Sequence, residues 1–257
     1  NGAAVGGASD IDGLSDGYTD STDSSIGLGT GALLNDDGTT NENVALGKDA
    51  LKANTSGWKN TALGYRALTG NTTGLSNTAV GHNCAINITT GTHNVAMGDY
   101  AMYDTSTSSS NTAIGDNAMN KNTSGNNNTG IGAYALYNTI SSNNSALGVD
   151  ALLNNTSGSA HAALGYRALW STTSGTNNTA AGQYAGYTTT TGSYNTNIGR
   201  VSAASSASAS YEITLGSANN TSLRCNVTSI SSLSDQRDKT NIQDIPDSAG
   251  IDFINKL

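Results

Sequence analysis

The sequence predicts an all-β chain, a parallel β-solenoid or β-roll of about twelve coils with about 17 residues in each. Three observations carry this. Twelve glycines recur at near-constant spacing: Gly29, Gly47, Gly64, Gly81, Gly98, Gly115, Gly132, Gly148, Gly165, Gly182, Gly199 and Gly216. The intervals are 18, then 17 five times, 16 once and 17 four times. Self-similarity at a fixed period marks units that stack on their neighbours. The unit is too short for two helices and their turns, but it fits two short strands and two turns. Coils stacked about 4.8 Å apart then make a rod of roughly 55 Å.

In chain order, residues 1–24 are an acidic lead-in with Asp10, Asp12, Asp16, Asp20 and Asp23. Residues 25–217 are the solenoid. Residues 218–233 are a cap or exit segment, where the repeat fades into the alternation Leu223, Cys225, Val227. Residues 234–257 have a new composition, with clustered charges, the single proline Pro246 and the single phenylalanine Phe253. Ile251, Ile254 and Leu257 have helical spacing, so a short helix is expected there. The chain opens on Asn1 and is expected to start inside a longer protein or after processing.

Aligned on its glycine, the unit has fixed columns. Position −4 is Asn43, Asn60, Asn77, Asn94, Asn111, Asn128, Asn144, Asn178 and Asn195, interrupted by His161. Such asparagines either bond up and down the stack as a ladder or suit the turn before a strand. Position −2 is mostly Ala and position −1 a larger aliphatic, as in Ala62-Leu63. Adjacent strand residues point to opposite faces, so both faces of this strand are apolar. The same reasoning applies to positions +3 and +4, as in Ala67-Leu68. One face fills the thin coil. The other would be a long apolar stripe, which monomers rarely expose. A homo-oligomer of coils packed side by side is therefore expected. Positions +1 and +2 vary most and are expected to face solvent. Thr, Ser, Asn and Gly clusters close the unit as turns.

Composition narrows the function classes. There are 31 Gly and only 12% charged residues, and the net charge is −8. A negative chain without Lys/Arg clusters disfavours nucleic acid. No run is long enough for a membrane-spanning helix, and no signal segment opens the chain. Cys84 and Cys225 would lie about 38 Å apart along the rod, too far to pair. Cys84 occupies an Ala column and reads as a small core residue.

The units Asn60-Thr61-Ala62-Leu63-Gly64-Tyr65-Arg66-Ala67-Leu68 and Asn111-Thr112-Ala113-Ile114-Gly115 resemble the head repeats of trimeric autotransporter adhesins of the YadA type. They resemble the related repeats of bacteriophage tail fibres more closely. The resemblance covers residues 25–217 and implies a left-handed β-roll with three chains per rod. The segment Ser234-Asp235-Gln236-Arg237-Asp238-Lys239-Thr240-Asn241-Ile242 resembles the start of the peptidase S74 domain, the intramolecular chaperone of many phage fibres and tailspikes. It departs from that family at Asp238, where an apolar residue is usual, and only its first 24 residues are represented. The resemblance implies one autoproteolytic event, with Ser234 as nucleophile and Lys239 as general base.

Other candidate sites are weaker. Asp10-Ile11-Asp12-Gly13 has a trace of calcium-loop spacing without the full ligand pattern. His82, His93 and His161 share no ligand spacing, so no metal and no cofactor is expected. Tyr100, Tyr103, Tyr134, Tyr137, Tyr184, Tyr187 and Trp170 form a recurrent aromatic stripe. It either covers coil edges and inter-chain seams or binds sugar or protein. The expected function is a structural fibre of a phage tail, in the virion and extracellular. Its expected partners are two further copies of itself, other tail proteins and a host-surface glycan or protein. A cellular trimeric adhesin, an extracellular filament subunit and an ice-binding solenoid are the alternatives. No turnover enzyme is expected.

Overall fold

The computed structural model describes residues 17–19, 24–37, 41–220 and 222. Two compact units divide the chain, Asn1–Asn219 and Asn220–Leu257, and every described strand lies in the first. Thirteen three-residue strands form one sheet in chain order. They are β1 (Gly17–Thr19), β2 (Ile26–Leu28), β3 (Val44–Leu46), β4 (Thr61–Leu63), β5 (Thr78–Val80), β6 (Val95–Met97), β7 (Thr112–Ile114), β8 (Thr129–Ile131), β9 (Ser145–Leu147), β10 (Ala162–Leu164), β11 (Thr179–Ala181), β12 (Thr196–Ile198) and β13 (Ile213–Leu215). From β2 onward each strand pairs in parallel with the next, shifted by one repeat, as in Thr61↔Thr78 and Leu63↔Val80. This is the predicted parallel β-solenoid. Within the acidic lead-in, β1 instead runs antiparallel to β2, with Gly17 opposite Leu28. It covers an edge that would otherwise present unpaired backbone groups.

Each coil holds one strand, where two were expected. Three non-glycine columns take left-handed backbone angles, at −5, +2 and +4. In one coil these are Lys59 (φ 58°), Arg66 (φ 56°) and Leu68 (φ 50°). A residue in that region turns the chain, so no second extended run survives. The remaining walls still stack by backbone hydrogen bonds: the Leu51 N–H donates to the Ala67 carbonyl at 3.0 Å, and the Thr55 N–H to Thr72 at 2.9 Å.

The same turns correct the reading of positions +3 and +4. Ala67 and Leu68 are both fully buried, as are Ala118 and Met119. With left-handed residues at +2 and +4, alternation fails and both side chains enter the coil. On the strands alternation holds: Ala62 is buried between exposed Thr61 and Leu63. In most coils the core is thus a file of Ala at −2 and +3 with one Leu or Met at +4; Ala85 and Gly186 take the +4 place in two coils. One such large side chain contributes about 1.5–3 kcal/mol, which leaves much of the coil's order to polar contacts.

The buried asparagines supply those contacts. Each −4 asparagine accepts through Oδ1 the backbone N–H of its counterpart one coil on: Asn60 N–H to Asn43 at 2.9 Å, Asn77 to Asn60 at 2.9 Å, Asn94 to Asn77 at 3.0 Å. Its Nδ2 donates to a carbonyl of the next coil, as Asn60 does to Gly74 at 2.9 Å and Asn77 to Gly91 at 2.8 Å. The ladder therefore runs mainly between side chain and backbone. Direct amide-to-amide bonds join Asn94 to Asn77 and Asn111 to Asn94. A second buried column at +7 shares the acceptors: Asn54 reaches Gly57 at 3.0 Å and Asn71 reaches Gly74 at 3.1 Å. Asp36 opens that column and accepts from Asn41, Asn43 and Asn54.

The glycine column combines both reasons for glycine. Gly115 has φ +132°, and a Cβ there would sit 2.6 Å from the carbonyl carbon of Gly132 in the next coil. Stacked backbones come too close for any side chain at this point.

Candidate functional site

Two exposed features stand on the solenoid. The first is the outer face of the sheet. Positions −3 and −1 point outward on every parallel strand, and the −1 side chains form an apolar row. Leu46 is 45% exposed, Leu147 47% and Leu164 53%, with Leu63, Met97 and Ile198 alike. Thr61, Thr78, Thr112, Thr129, Thr179 and Thr196 line the −3 column beside them. Across β8–β11 the small residues Ser145, Ala162 and Ala181 leave a shallow apolar depression of ≈ 430 Å³, walled by Ile131, Leu147 and Leu164.

The second feature is the flank just past the glycines, built from positions +1, +2 and +5. Tyr65 stacks on His82 (5.3 Å, 14°), and His82 meets Tyr100 edge-on. Further along, Arg167 lies among Tyr166, Trp170 and Tyr184, its guanidinium 5.0, 5.5 and 5.9 Å from their ring centres. Its Nε donates to Asp150 Oδ2 at 2.9 Å and its Nη1 to Tyr184 Oη at 3.3 Å. The Asp150 and Tyr184 contacts hold the guanidinium above its ordinary range. Tyr166 packs edge-on to Tyr184 at 5.3 Å, and Tyr184 to Tyr187 at 6.4 Å. The +1 position mostly faces solvent, as expected; most +2 residues are half-buried because they turn, with Asn83 buried and Tyr134 exposed.

The histidines separate by environment. His82 pairs with Asp99 at the surface, 2.8 Å away, and His93 approaches Thr92 at 3.1 Å. His161 is buried in the asparagine column, where the Asn178 N–H donates to its Nδ1 at 3.2 Å. Burial pulls its pKa down to about 4, against smaller opposing contributions from the Gly175 and Asn178 backbone. Its Nε2 is buried without a hydrogen-bond partner. Cys84 is fully buried in the Ala column, and burial pushes its thiol up to about 12. Among the described residues no group of three or more His, Cys, Asp or Glu side chains is placed to hold a metal. No helix among them is long and apolar enough to cross a membrane.

Ser234 and Lys239 lie outside the described residues, as do Cys225, the Asp10–Asp23 carboxylates and the expected helix over Ile251–Leu257. The +7 polar column was missed by the sequence reading, although Asn-x-x-Gly at Asn54–Gly57, Asn71–Gly74, Asn122–Gly125 and Asn155–Gly158 marks it. Compared with known proteins, the chain matches no family model, no curated protein and no solved structure.

Proposed function

We propose that this chain is a shaft or receptor-binding segment of a homotrimeric structural fibre, of the kind carried on a phage tail for host attachment. The observation that carries this is the apolar outer face of the sheet, which continues from Leu28 to Leu215 along twelve parallel strands. A stripe of that length in water favours cover by an identical, equally periodic surface. The resemblance of the repeats supplies three chains per rod and a left-handed winding. The resemblance of Ser234–Ile242 supplies the phage setting, with other virion tail proteins as neighbours. It also supplies one self-cleavage, in which Lys239 takes the proton of the Ser234 hydroxyl. No other catalysis is part of the reading.

Native mass measurement is the first test, and a mass of three chains is expected. Antibody labelling of virions in electron micrographs is the second, with label expected on the tail. A stable monomer, or label confined to a cell surface, overturns the fibre reading, and the latter outcome selects a cellular adhesin. Cleavage is read by mass spectrometry of a product extended past Leu257. It should disappear in Ser234→Ala and Lys239→Ala while the rod still forms.

An ice-binding solenoid is a second reading, favoured by the outward threonines of the −3 column. Ile26, Val44, Val95, Ser145, Ala162 and Ile213 replace threonine in that column, and aliphatic side chains flank it. Measurable thermal hysteresis in dilute solution would establish it.

A further inference from the structure

The aromatic flank recurs along the solenoid but gathers a guanidinium among its rings at Arg167, and the fold does not require it. The coil of Gly115 has Asp116, Asn117 and Asn120 at the +1, +2 and +5 positions, with Asn120 donating to Asn117 at 2.9 Å. Its strand β7 keeps the same register to β6 and β8 as every other coil. The rings around Arg167 are thus an addition to a coil that closes without them, and Ala168 and Leu169 fill the core beneath them.

We infer that the ridge Tyr166–Arg167–Trp170–Tyr184–Tyr187 is a carbohydrate-binding site for neutral oligosaccharides. Sugar rings would stack on Tyr166 and Tyr187, and sugar hydroxyls would bond Arg167 and Asp150. Tyr166 is 37% and Tyr187 36% exposed, so both present ring surface to solvent. The rings are held by each other and by a fixed guanidinium, which lowers the ordering cost of binding. The charges already compensate each other: Asp150 neutralises Arg167 at 2.9 Å. What remains is N–H donors and carboxylate lone pairs without net charge, a match for hydroxyls rather than for an anionic polymer. The net charge of −8 acts in the same direction.

Tyr187 also walls a depression of ≈ 660 Å³ whose lining mixes Val201 and Leu215 with Arg200 and Thr214. A sugar has this same mixture of apolar C–H faces and polar rims, and ligand sites pair apolar walls with a few placed polar groups. A protein partner would also use Tyr, Trp and Arg, but the ridge adjoins this mixed depression instead of a flat apolar patch. The inference deepens the fibre reading by naming a receptor chemistry, and it rests on that reading only for its biological use.

The test uses the full chain carrying Trp58→Phe, which leaves Trp170 as the sole tryptophan reporter. Cellohexaose, chitohexaose and maltohexaose are titrated against its emission, and the same protein is applied to an array of neutral and sialylated glycans. Saturable binding of a neutral glycan is expected, weakened about tenfold or more by Tyr166→Ala and by Arg167→Ala. The control Tyr194→Ala, on another column, should bind like the parent, and circular dichroism checks that all variants fold. Retention of no array glycan overturns the site. So does retention of sialylated glycans alone, binding unchanged in both ridge variants, or attachment to host cells that survives enzymatic removal of surface glycans, which would mark a protein partner. Native mass on the same samples separates the two readings. A trimer that binds no sugar leaves the fibre and removes the site; a monomer that binds sugar does the reverse.

Discussion

His161 is the one ring in a column of amides. Its Nδ1 must stay unprotonated to accept the Asn178 N–H, and the residue is only 2% exposed. The folded state binds a proton only near pH 4, whereas the unfolded chain binds one near 6.5. The contribution is therefore complete above about pH 6.5 and is lost as pH falls toward 4, by about 3 kcal/mol in all. Denaturant melts between pH 7 and 4 should show this slope, and His161→Asn should flatten it by removing the titratable ring while keeping a ladder amide. An equal slope in the variant would locate the titration elsewhere. Asn197 is a second exception. It occupies the Ala column of β12, is fully buried, and has neither amide atom hydrogen-bonded. Gly186 makes its room: a Cβ on Gly186 would come 3.3 Å from the Asn197 amide nitrogen. An unpaired buried amide costs about 1–3 kcal/mol. Asn197→Leu is expected to raise the chemical-denaturation midpoint by a corresponding amount.

A coil is closed by backbone angles that side chains ordinarily resist. Besides the glycine column, it places three residues in the left-handed region, which costs a non-glycine residue roughly 1–2 kcal/mol. Two substitutions should therefore move stability in unusual directions. Ala160 is exposed at φ 58° with only a methyl group to lose. Ala160→Gly should stabilise by about 0.5–1 kcal/mol, the reverse of the same change at Ala62 on β4. Gly115→Val meets both the angle and the backbone of Gly132 and should destabilise by about 1–3 kcal/mol per chain. Thermal melts of the three variants decide the matter, and an unchanged melting temperature for Gly115→Val would contradict the close stacking.

Across the whole solenoid, each coil touches only its neighbours, so stability accumulates by repetition and the ends need separate treatment. At the N-terminal end β1 reverses direction, and Ser25 and Asp36 receive the first asparagine donors. At the other end the Glu212 N–H finishes the −4 column on Asn195 at 3.0 Å. The Glu212 carboxylate turns away to accept the Ser205 N–H and hydroxyl, which keeps it below its ordinary range. The outer apolar row belongs to this scale too. Leu164→Asp puts a charge beside the β8–β11 depression without entering the core, so the coils should remain folded. In a trimer packed through this face, sedimentation should show dissociation, because a buried unpaired carboxylate is strongly unfavourable. An intact trimer would move the interface to another wall.

The period, the parallel stack and the buried Ala of each strand were legible in the chain, because a linear repeat passes directly into a linear stack. Asn60, Asn77 and Asn94 were legible as a column for the same reason: identical residues one coil apart must meet. Their partners were not. Whether Nδ2 donated to the next amide or to a backbone carbonyl depended on how near the Gly74 and Gly91 carbonyls came, and only the closed coil sets that distance. The single strand per coil and the inward turn of both Ala67 and Leu68 were likewise decided in three dimensions. Nothing in Arg66 or Leu68 announces a left-handed angle that their side chains disfavour; the need to return the chain to its start in seventeen residues imposes it. The gathering of Asp150, Tyr166, Arg167 and Tyr184 follows the same logic. Their spacing gives the shared flank, and stacking brings together residues whose chemistry no single repeat displays.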